Sequence, residues 1–539
     1  MRASSVRMKK LRFNLNRLIG FIRAILKNKK GAIGIGILSV FTLFAVIPWA
    51  FTPYDPIKDV GLAGSMAAPS WIRYLPGGEG YSENILLLNN PGFNDAGSLN
   101  ELVIECSKME RIHYGFSSSI GYPKGSGPGS IFVTYVRSEK ISARENTIVR
   151  VSKRFVYPYK AAPERFTGSL AFFVEGTVSD VPVQISFFIM HEEEDKFFTI
   201  KNESKRIVYL WNASGTPLNS PMLAWGSTIS AVLSAIDSRS ESLKIFLYGY
   251  IDEAMTKPYW HYYYVRPESD LFDNGPHNFT VGVELSFLDK GKSEGAYVIV
   301  YLDDFQFQTF GTAYGLLGTD HYGRDLFTQL VYGTRISLYV GLLASFIGVV
   351  IGLIVGLAAG YLGRVVDEIL MRFSDMLLVI PTLPLLIVLV AILGPTLNNL
   401  ILLIGFLGWM GFARVVRSQV LSLRERPFVE AAKAAGAGSA YIMFRHILPN
   451  ILALVYVTLA TSVPGAVVAE ASLSWLGFYD PTTMSWGRML YEAQQQVASY
   501  SKWWWVIPPG VCIALIALSF ILIGFAMDEI LNPRLRERR

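Results

Sequence analysis

Glu430-Ala431-Ala432-Lys433-Ala434-Ala435-Gly436-Ala437-Gly438, followed by Arg445-His446-Ile447-Leu448-Pro449-Asn450, is the stretch on which the reading of this 539-residue chain turns. Pro427, just upstream, suits the first turn of a helix, where its missing N–H leaves no bond unmade. Glu430 then lies near the positive amino end of that helix. Four alanines supply strong helix propensity with little bulk. Gly436 and Gly438 permit a sharp turn before a second helix begins. The expected object is a short, smooth surface helix between two spans, shaped to dock in a groove of another protein.

On both sides of this segment the chain is apolar. Hydrophobic residues make up 51% of it and the mean hydropathy is +0.34, which excludes disorder and argues against an ordinary soluble enzyme. Six runs approach the roughly 20 helical residues that cross a hydrocarbon core: Ala32–Phe51, Ile336–Leu362, Met376–Leu393, Leu397–Phe412, Ile451–Leu473 and Trp504–Ala526. Charge sets their direction. Residues 1–30 hold ten Lys/Arg and no acid, and the segments around Arg364, Arg417 and Arg534 are basic. With six spans all of these fall on one side, the cytoplasmic one by the positive-inside rule. Both termini are then cytoplasmic. Residues 54–317, with 23 Lys/Arg against 30 Asp/Glu, are external. The net charge of +6 thus reflects membrane orientation and implies no nucleic-acid partner. Two cysteines, Cys106 and Cys512, exclude a disulfide framework. The first run reads as a retained anchor, because no small-x-small cleavage site follows Phe51.

Within the spans, Gly348, Gly352, Gly356 and Gly360 recur every four residues and form a small-residue stripe along one helix, a surface for close helix packing. Pro381, Pro384, Pro464, Pro508 and Pro509 interrupt other spans. Glu470 is a lone acid, read as reaching the interface. With so few intramembrane ionisable groups, the chain lacks what a proton- or sodium-coupled carrier needs.

The segment quoted first resembles the EAA signature of ABC-importer permeases (EAA, three residues, G, nine residues, I-x-LP). Glu430, Ala431, Ala432, Gly436, Leu448 and Pro449 match at the required spacing, with His446 at the isoleucine position and Ile447 one residue later. Gly318-Thr319-Asp320-His321-Tyr322-Gly323-Arg324-Asp325 and Tyr332-Gly333-Thr334-Arg335-Ile336-Ser337-Leu338 are similar to the C-type subunit of dipeptide, oligopeptide and nickel transporters. So are Met371–Asp375 leading into Ile380-Pro381, Leu473–Phe478, and Ser485-Trp486-Gly487. The resemblance covers 316–539 and, loosely, the first 55 residues.

It implies a type I ABC importer permease fold with six transmembrane helices in the cell membrane. Its partners would be a second homologous permease subunit, two cytoplasmic ATPase subunits, an extracytoplasmic substrate-binding protein and membrane lipid. Glu430, Ala431, Ala432, Gly436, His446, Leu448 and Pro449 would couple ATP hydrolysis to the spans. ATP and magnesium would bind the partner ATPases, and no cofactor is expected on this chain. The lone Gly-Lys-Ser at 291–293 has Ser286 where a phosphate loop requires glycine.

The expected organisation is a basic amino terminus and first span (1–53), an inserted external domain (54–315) and a permease core (316–539). The family does not explain the insert. Gly61–Gly97 reads as loops and turns. Beyond about Ile131, runs rich in β-branched and aromatic residues predict strands at Thr147–Tyr157, Leu170–Thr177, Val183–Met190, Ile207–Trp211, Leu243–Ile251, Phe279–Leu288 and Ala296–Phe307. A short helix near Ser220–Ala235 is also expected. The fold class is an antiparallel β-sandwich, and the closing strand resembles jelly-roll carbohydrate-binding modules.

Asn202, Asn212 and Asn278 head glycosylation sequons. Tyr259 and Trp260 form either a stacking platform or part of an ordinary half-buried strand, and the second reading is preferred. Glu192–Asp195 reads as a solvated turn. Asp303 and Asp304, as neighbours, point to opposite faces of a strand and form no acid/base pair. No catalytic or metal-binding constellation is expected. The functional expectation is import of di- and oligopeptides. The alternatives are oligosaccharides carried by the same machinery, or a membrane-anchored external enzyme or adhesion domain.

Overall fold

The computed structural model describes Gly20, 22–123, 129–137, 144–193, 198–200, 203–212, 217–218, 220–222, 244–247, 261–264, 271–272, 277–292, 294–496 and 502–531. The chain forms two compact units, Met1–Val60 with Arg324–Arg539, and Gly61–Gly323. The second unit therefore begins and ends several residues later than the expected 54–315. Hydrogen bonds explain the shift. Gly61, Leu62, Gly64, Met66, Ala68 and Ser70 donate their amides to carbonyls of Tyr322, Gly323, Gly311, Asp320, Thr312 and Gly315. That neck draws 311–323 into the β unit.

The first unit is helical. In chain order its helices are α1 (Lys29–Val46), α2 (Leu326–Leu362), α3 (Arg364–Val379), α4 (Thr382–Leu393), α5 (Leu397–Phe406), α6 (Met410–Arg424), α7 (Pro427–Ala434), α8 (Ser439–Ile442), α9 (Leu448–Trp475), α10 (Trp486–Gln495) and α11 (Trp503–Leu531). Among the described residues, five stretches are long and apolar enough to cross a membrane: α1, α2, Leu397–Arg424, Ser439–Trp475 and α11. The expected third span differs. Its residues belong to α3 and α4, which meet at an angle of 90°. Pro381 has no N–H to continue the helix and pushes Ile380 to an extended backbone (φ −75°, ψ 125°). At 12 residues α4 is only about 18 Å long.

Glu470 also differs from expectation. It is buried inside α9, and its Oε1 accepts hydrogen bonds from Ser474 and Ser485, both at 2.8 Å. Ser485 is the residue that caps α10, its hydroxyl accepting from the Arg488 amide. The acid ties one helix to the start of the next.

The second unit consists largely of two antiparallel sheets. In one, Tyr297–Phe310 pairs with Ile85–Leu86, Ser130–Val136 and Arg165–Gly176, and Ser130–Val136 pairs further with Ile112–Ser117. The other runs in the order His261–Tyr264, Lys244–Leu247, Ile207–Asn212, Val183–His191, His277–Asp289, Glu145–Tyr157, Val103–Cys106. Alternate residues from both sheets (Val133, Val174 and Val300 from the first; Val151, Ile185 and Val283 from the second) are fully or almost fully buried in one apolar core. This is the antiparallel sandwich expected from the runs of β-branched and aromatic residues separated by turns. Most of the short helix expected near Ser220–Ala235, residues 223–235, lies outside the described residues.

At one edge of this core Arg137 and Asp289 form a fully buried ion pair, and the Tyr135 hydroxyl donates to Asp289 Oδ2 at 2.7 Å. Burial pushes the Asp289 carboxyl up. The Arg137 guanidinium, the Gly291 amide and Tyr135 outweigh it and hold the group below its ordinary value. Removing one member of such a pair leaves a buried charge uncompensated.

Candidate functional site

Arg426 is the N-cap of α7, Pro427 takes its first position and Glu430 sits in the first turn. The helix ends in a Schellman motif. The Ala437 amide donates to the Ala432 carbonyl at 3.1 Å and the Gly436 amide to the Lys433 carbonyl at 3.0 Å. The motif needs a left-handed residue, and Gly436 supplies it at φ +81°. Gly438, read from sequence as a second turn glycine, has an ordinary φ of −68° and serves as the N-cap of α8. Only one of the two glycines is conformationally required.

One side chain anchors the short helix. Val429 is buried in a cluster with Phe412, Val416 and Val420 of α6 and with Ile442, Ile447 and Ile451 from the following elements. Glu430, Ala431, Gly436 and Pro449 are exposed, whereas Ala432, His446 and Leu448 are half-buried. Between α8 and α9, residues Met443–Ile447 form a π turn. Such a turn holds one extra residue. Here Ile447 is buried, while His446 stands edge-on to Tyr441 at 5.5 Å between ring centroids. Of the two neighbours, Ile447 is therefore the one that enters the apolar cluster, and His446 is not. Sequence reasoning missed Val429 and the exposed rings of Phe428, Tyr441 and Phe444. Their signal was one aromatic residue within, and two following, an otherwise alanine-rich helix.

The segment is held to the helical unit through α6. Arg417 of α6 binds Asp367 of α3 through two nitrogens, the second at 2.6 Å, and Arg414 pairs with Asp375. The four stripe glycines face α5, α6 and the turn between them. A Cβ at Gly348 would lie 3.1 Å from the Gly405 carbonyl oxygen. At Gly352 it would lie 2.8 Å from that of Trp409, at Gly356 2.6 Å from that of Ala413, and at Gly360 3.0 Å from that of Arg417. Near the first of them a cavity of about 240 Å³ opens among α2, α4, α5, α6 and α9, lined by the hydroxyl residues Ser345, Thr382, Thr458 and Ser462 together with glycines and apolar side chains. None of its lining residues is charged.

In the β unit, Asn278 is exposed and Asn212 ends a strand, while Asn202, Tyr259 and Trp260 lie outside the described residues. Asp303 and Asp304 are not on opposite faces of a regular strand. The register shifts between Asp303 and Gln306, and Asp304 takes φ +47°. Asp303 is buried, and it accepts from the amides of Tyr122 and Asp304, each at 2.7 Å. Burial outweighs both bonds and pushes its carboxyl up to about 6, from an ordinary 3.8.

A raised folded value means that the folded state holds this proton more tightly than the unfolded chain. The resulting stability is fully present below about pH 4 and is lost as pH rises through about 6. Its size is about 3 kcal/mol, at 1.36 kcal/mol per pK unit. The difference in denaturant midpoint between the wild type and Asp303→Asn should therefore change across pH 4 to 7, the wild type losing the larger share. Parallel pH profiles would refute this.

Residues 348–537 match the family described as "binding-protein-dependent transport system inner membrane component". The dipeptide transport system permease protein DppC of Alkalihalophilus pseudofirmus is 41% identical over 220 residues, which are 41% of this chain and 72% of that protein. The oligopeptide transport system permease protein OppC of Bacillus subtilis is 36% identical over 222 residues, again 41% of this chain and 72% of that protein. Among solved structures, an inward-facing MetNI methionine ABC transporter is 22% identical over 38% of this chain and 95% of that chain, with a TM-score of 0.31.

Proposed function

The chain belongs to the inner-membrane components of binding-protein-dependent transport systems, and from this premise we propose that it imports di- and oligopeptides as one half of a two-permease pathway. It is a multi-pass membrane protein and a permease subunit of an ABC importer, not itself an enzyme. The observation that carries the mechanism is the exposed, Schellman-capped α7 with its single buried anchor at Val429.

In this reading α7 and α8 seat in a cleft of a cytoplasmic ATPase. Glu430 and Gly436 face the cleft, and the rings of Phe428, Tyr441 and Phe444 fill it. ATP and magnesium bind the ATPases. Closure of the ATPase dimer pushes α7, and the buried Val429 passes the displacement to α6. From there the glycine contacts carry it to α2. The uncharged cavity beside Gly348 then forms part of the path wall and passes neutral groups without trapping them in ion pairs.

The topology follows the charge asymmetry. The basic segments lie in the cytoplasm, the β unit lies outside, and the bent α3–α4 pair counts as the sixth span. An external binding protein delivers the substrate. The names of the relatives support peptides as that substrate.

The test is uptake into vesicles holding the chain with its second permease and ATPases, fed by the cognate binding protein. Labelled tri- and tetrapeptides should accumulate with ATP, and oligosaccharides should not. Accumulation of oligosaccharides alone would overturn the substrate assignment and leave the permease assignment standing.

A further inference from the structure

Ser70–Tyr74, in the neck of the β unit, forms a 3-10 turn. With three residues per turn, positions i and i+3 eclipse, so Trp71 and Tyr74 share one side. Tyr74 is 84% exposed, and Trp71 and Leu75 are also exposed. Leu316, 56% exposed, joins them from the other side of the neck, its carbonyl accepting from Trp71 Nε1 at 2.9 Å. The one charged residue of the turn points elsewhere. Arg73 lies 2.9 Å from Glu83 and 4.4 Å from the centroid of the Tyr159 ring. What remains is two amphipathic rings and two leucines, none charged, on a unit rich in acids. Rings of this kind, apolar in body and polar at the tip, favour the headgroup layer of a bilayer.

The position of the neck along the chain supports the same partner. Helix α1 has 18 residues, about 27 Å, close to the thickness of a hydrocarbon core. Its first two residues are lysines, so its other end, Val46, reaches the opposite boundary of that core. There Trp49 is exposed, and Thr52 hydrogen-bonds Thr328 in the first turn of α2. The start of α2 therefore lies at the same boundary. Leu316 precedes Leu326 by ten residues, a tether of at most about 35 Å.

We propose that Trp71, Tyr74, Leu75 and Leu316 form a lipid-contacting patch that seats the β unit on the headgroup layer of the outer leaflet. The patch rests on the topology given above, with the β unit outside. Seated in this way, the neck restrains the β unit against the membrane surface independently of any binding protein.

The test uses the full chain with Cys106 and Cys512 replaced by serine, carrying Tyr74→Cys, Leu316→Cys or, as a control on an exposed strand end, Tyr297→Cys. Each variant is spin-labelled and reconstituted into nanodiscs of phosphatidylcholine and phosphatidylglycerol. Labels at 74 and 316 should collide several-fold more with oxygen, relative to a water-soluble nickel chelate, than the label at 297. Nickel-dominated collision at all three sites overturns the patch. So does protection of 74 and 316 that appears only when the external binding protein is added, because the partner is then protein. Topology is read separately, by a membrane-impermeant maleimide applied to intact cells. Failure to label Tyr297→Cys until the cells are opened overturns the external placement, while the collision ratio still decides the patch.

Discussion

Gly436→Trp will lower ATP-driven uptake by at least about tenfold, equivalent to 1.4 kcal/mol of lost coupling, while the chain still inserts and folds. The prediction rests on two features of that glycine. A Cβ there meets nothing within 4 Å, so a side chain can leave the backbone without striking this chain at its first atom. The position is exposed at the tip of the turn, where in the proposed docking the added bulk would meet the ATPase. The backbone is left-handed, which costs an ordinary residue about 1–2 kcal/mol, a loss confined to one turn of the segment. Gly436→Asn separates the two effects, because asparagine tolerates this conformation and adds little bulk. Uptake should be largely retained with asparagine and lost with tryptophan, with matched thermal midpoints of the purified chain. Unchanged uptake in the tryptophan variant would sink the coupling role.

The second large effect concerns the fold. Gly356→Leu should cost about 3 kcal/mol or more, at the upper end for overpacking a tight interface. Its Cβ would stand 2.6 Å from both the Ala413 carbonyl oxygen and the Val416 Cβ. The carbonyl belongs to a helix backbone and cannot rotate aside, so α2 and α6 must move apart. Gly36→Leu is the control. It introduces the same side chain on α1, at an exposed position with nothing within 4 Å. Monodisperse chain recovered from membranes, followed by its thermal midpoint, measures the effect. The Gly356 variant should fall sharply and the Gly36 variant should not. Equal recovery would mean that the α2–α6 approach is not needed for stability.

Much of this was legible along the chain because it depends on neighbours in sequence. Runs of apolar residues, runs of β-branched and aromatic residues between turns, Pro427 at a helix start and glycine at a helix end are local signals. They located the long helices, most strands of the larger sheet and the short helix. The early strands Val103–Cys106 and Ile112–Ser117 escaped, being only four and six residues long and set among turns. The four-residue spacing of the stripe glycines was visible too, though nothing in it named the helix they pack against.

Other features depend on what lies across the fold. The direction of α4 was hidden because Pro381 announces a break without its angle. Glu470 read as an interfacial acid, since Ser485, which helps satisfy it, is 15 residues away on the far side of a turn. Arg137 and Asp289 are 152 residues apart. Nor does the spacing of the motif reveal that a π turn moves the buried position from His446 to Ile447.

The sequence alone determined a chain of membrane helices interrupted by a β unit, with one small, glycine-capped helix between two of them. Hydrophobic length and backbone propensity are written residue by residue. The tertiary structure decided which glycine must be left-handed, which apolar residue holds the short helix in place, and which carbonyls the glycine stripe admits. Those outcomes depend on distances of a few ångströms between residues remote in sequence, and on the register that packing selects from several that the local pattern allows.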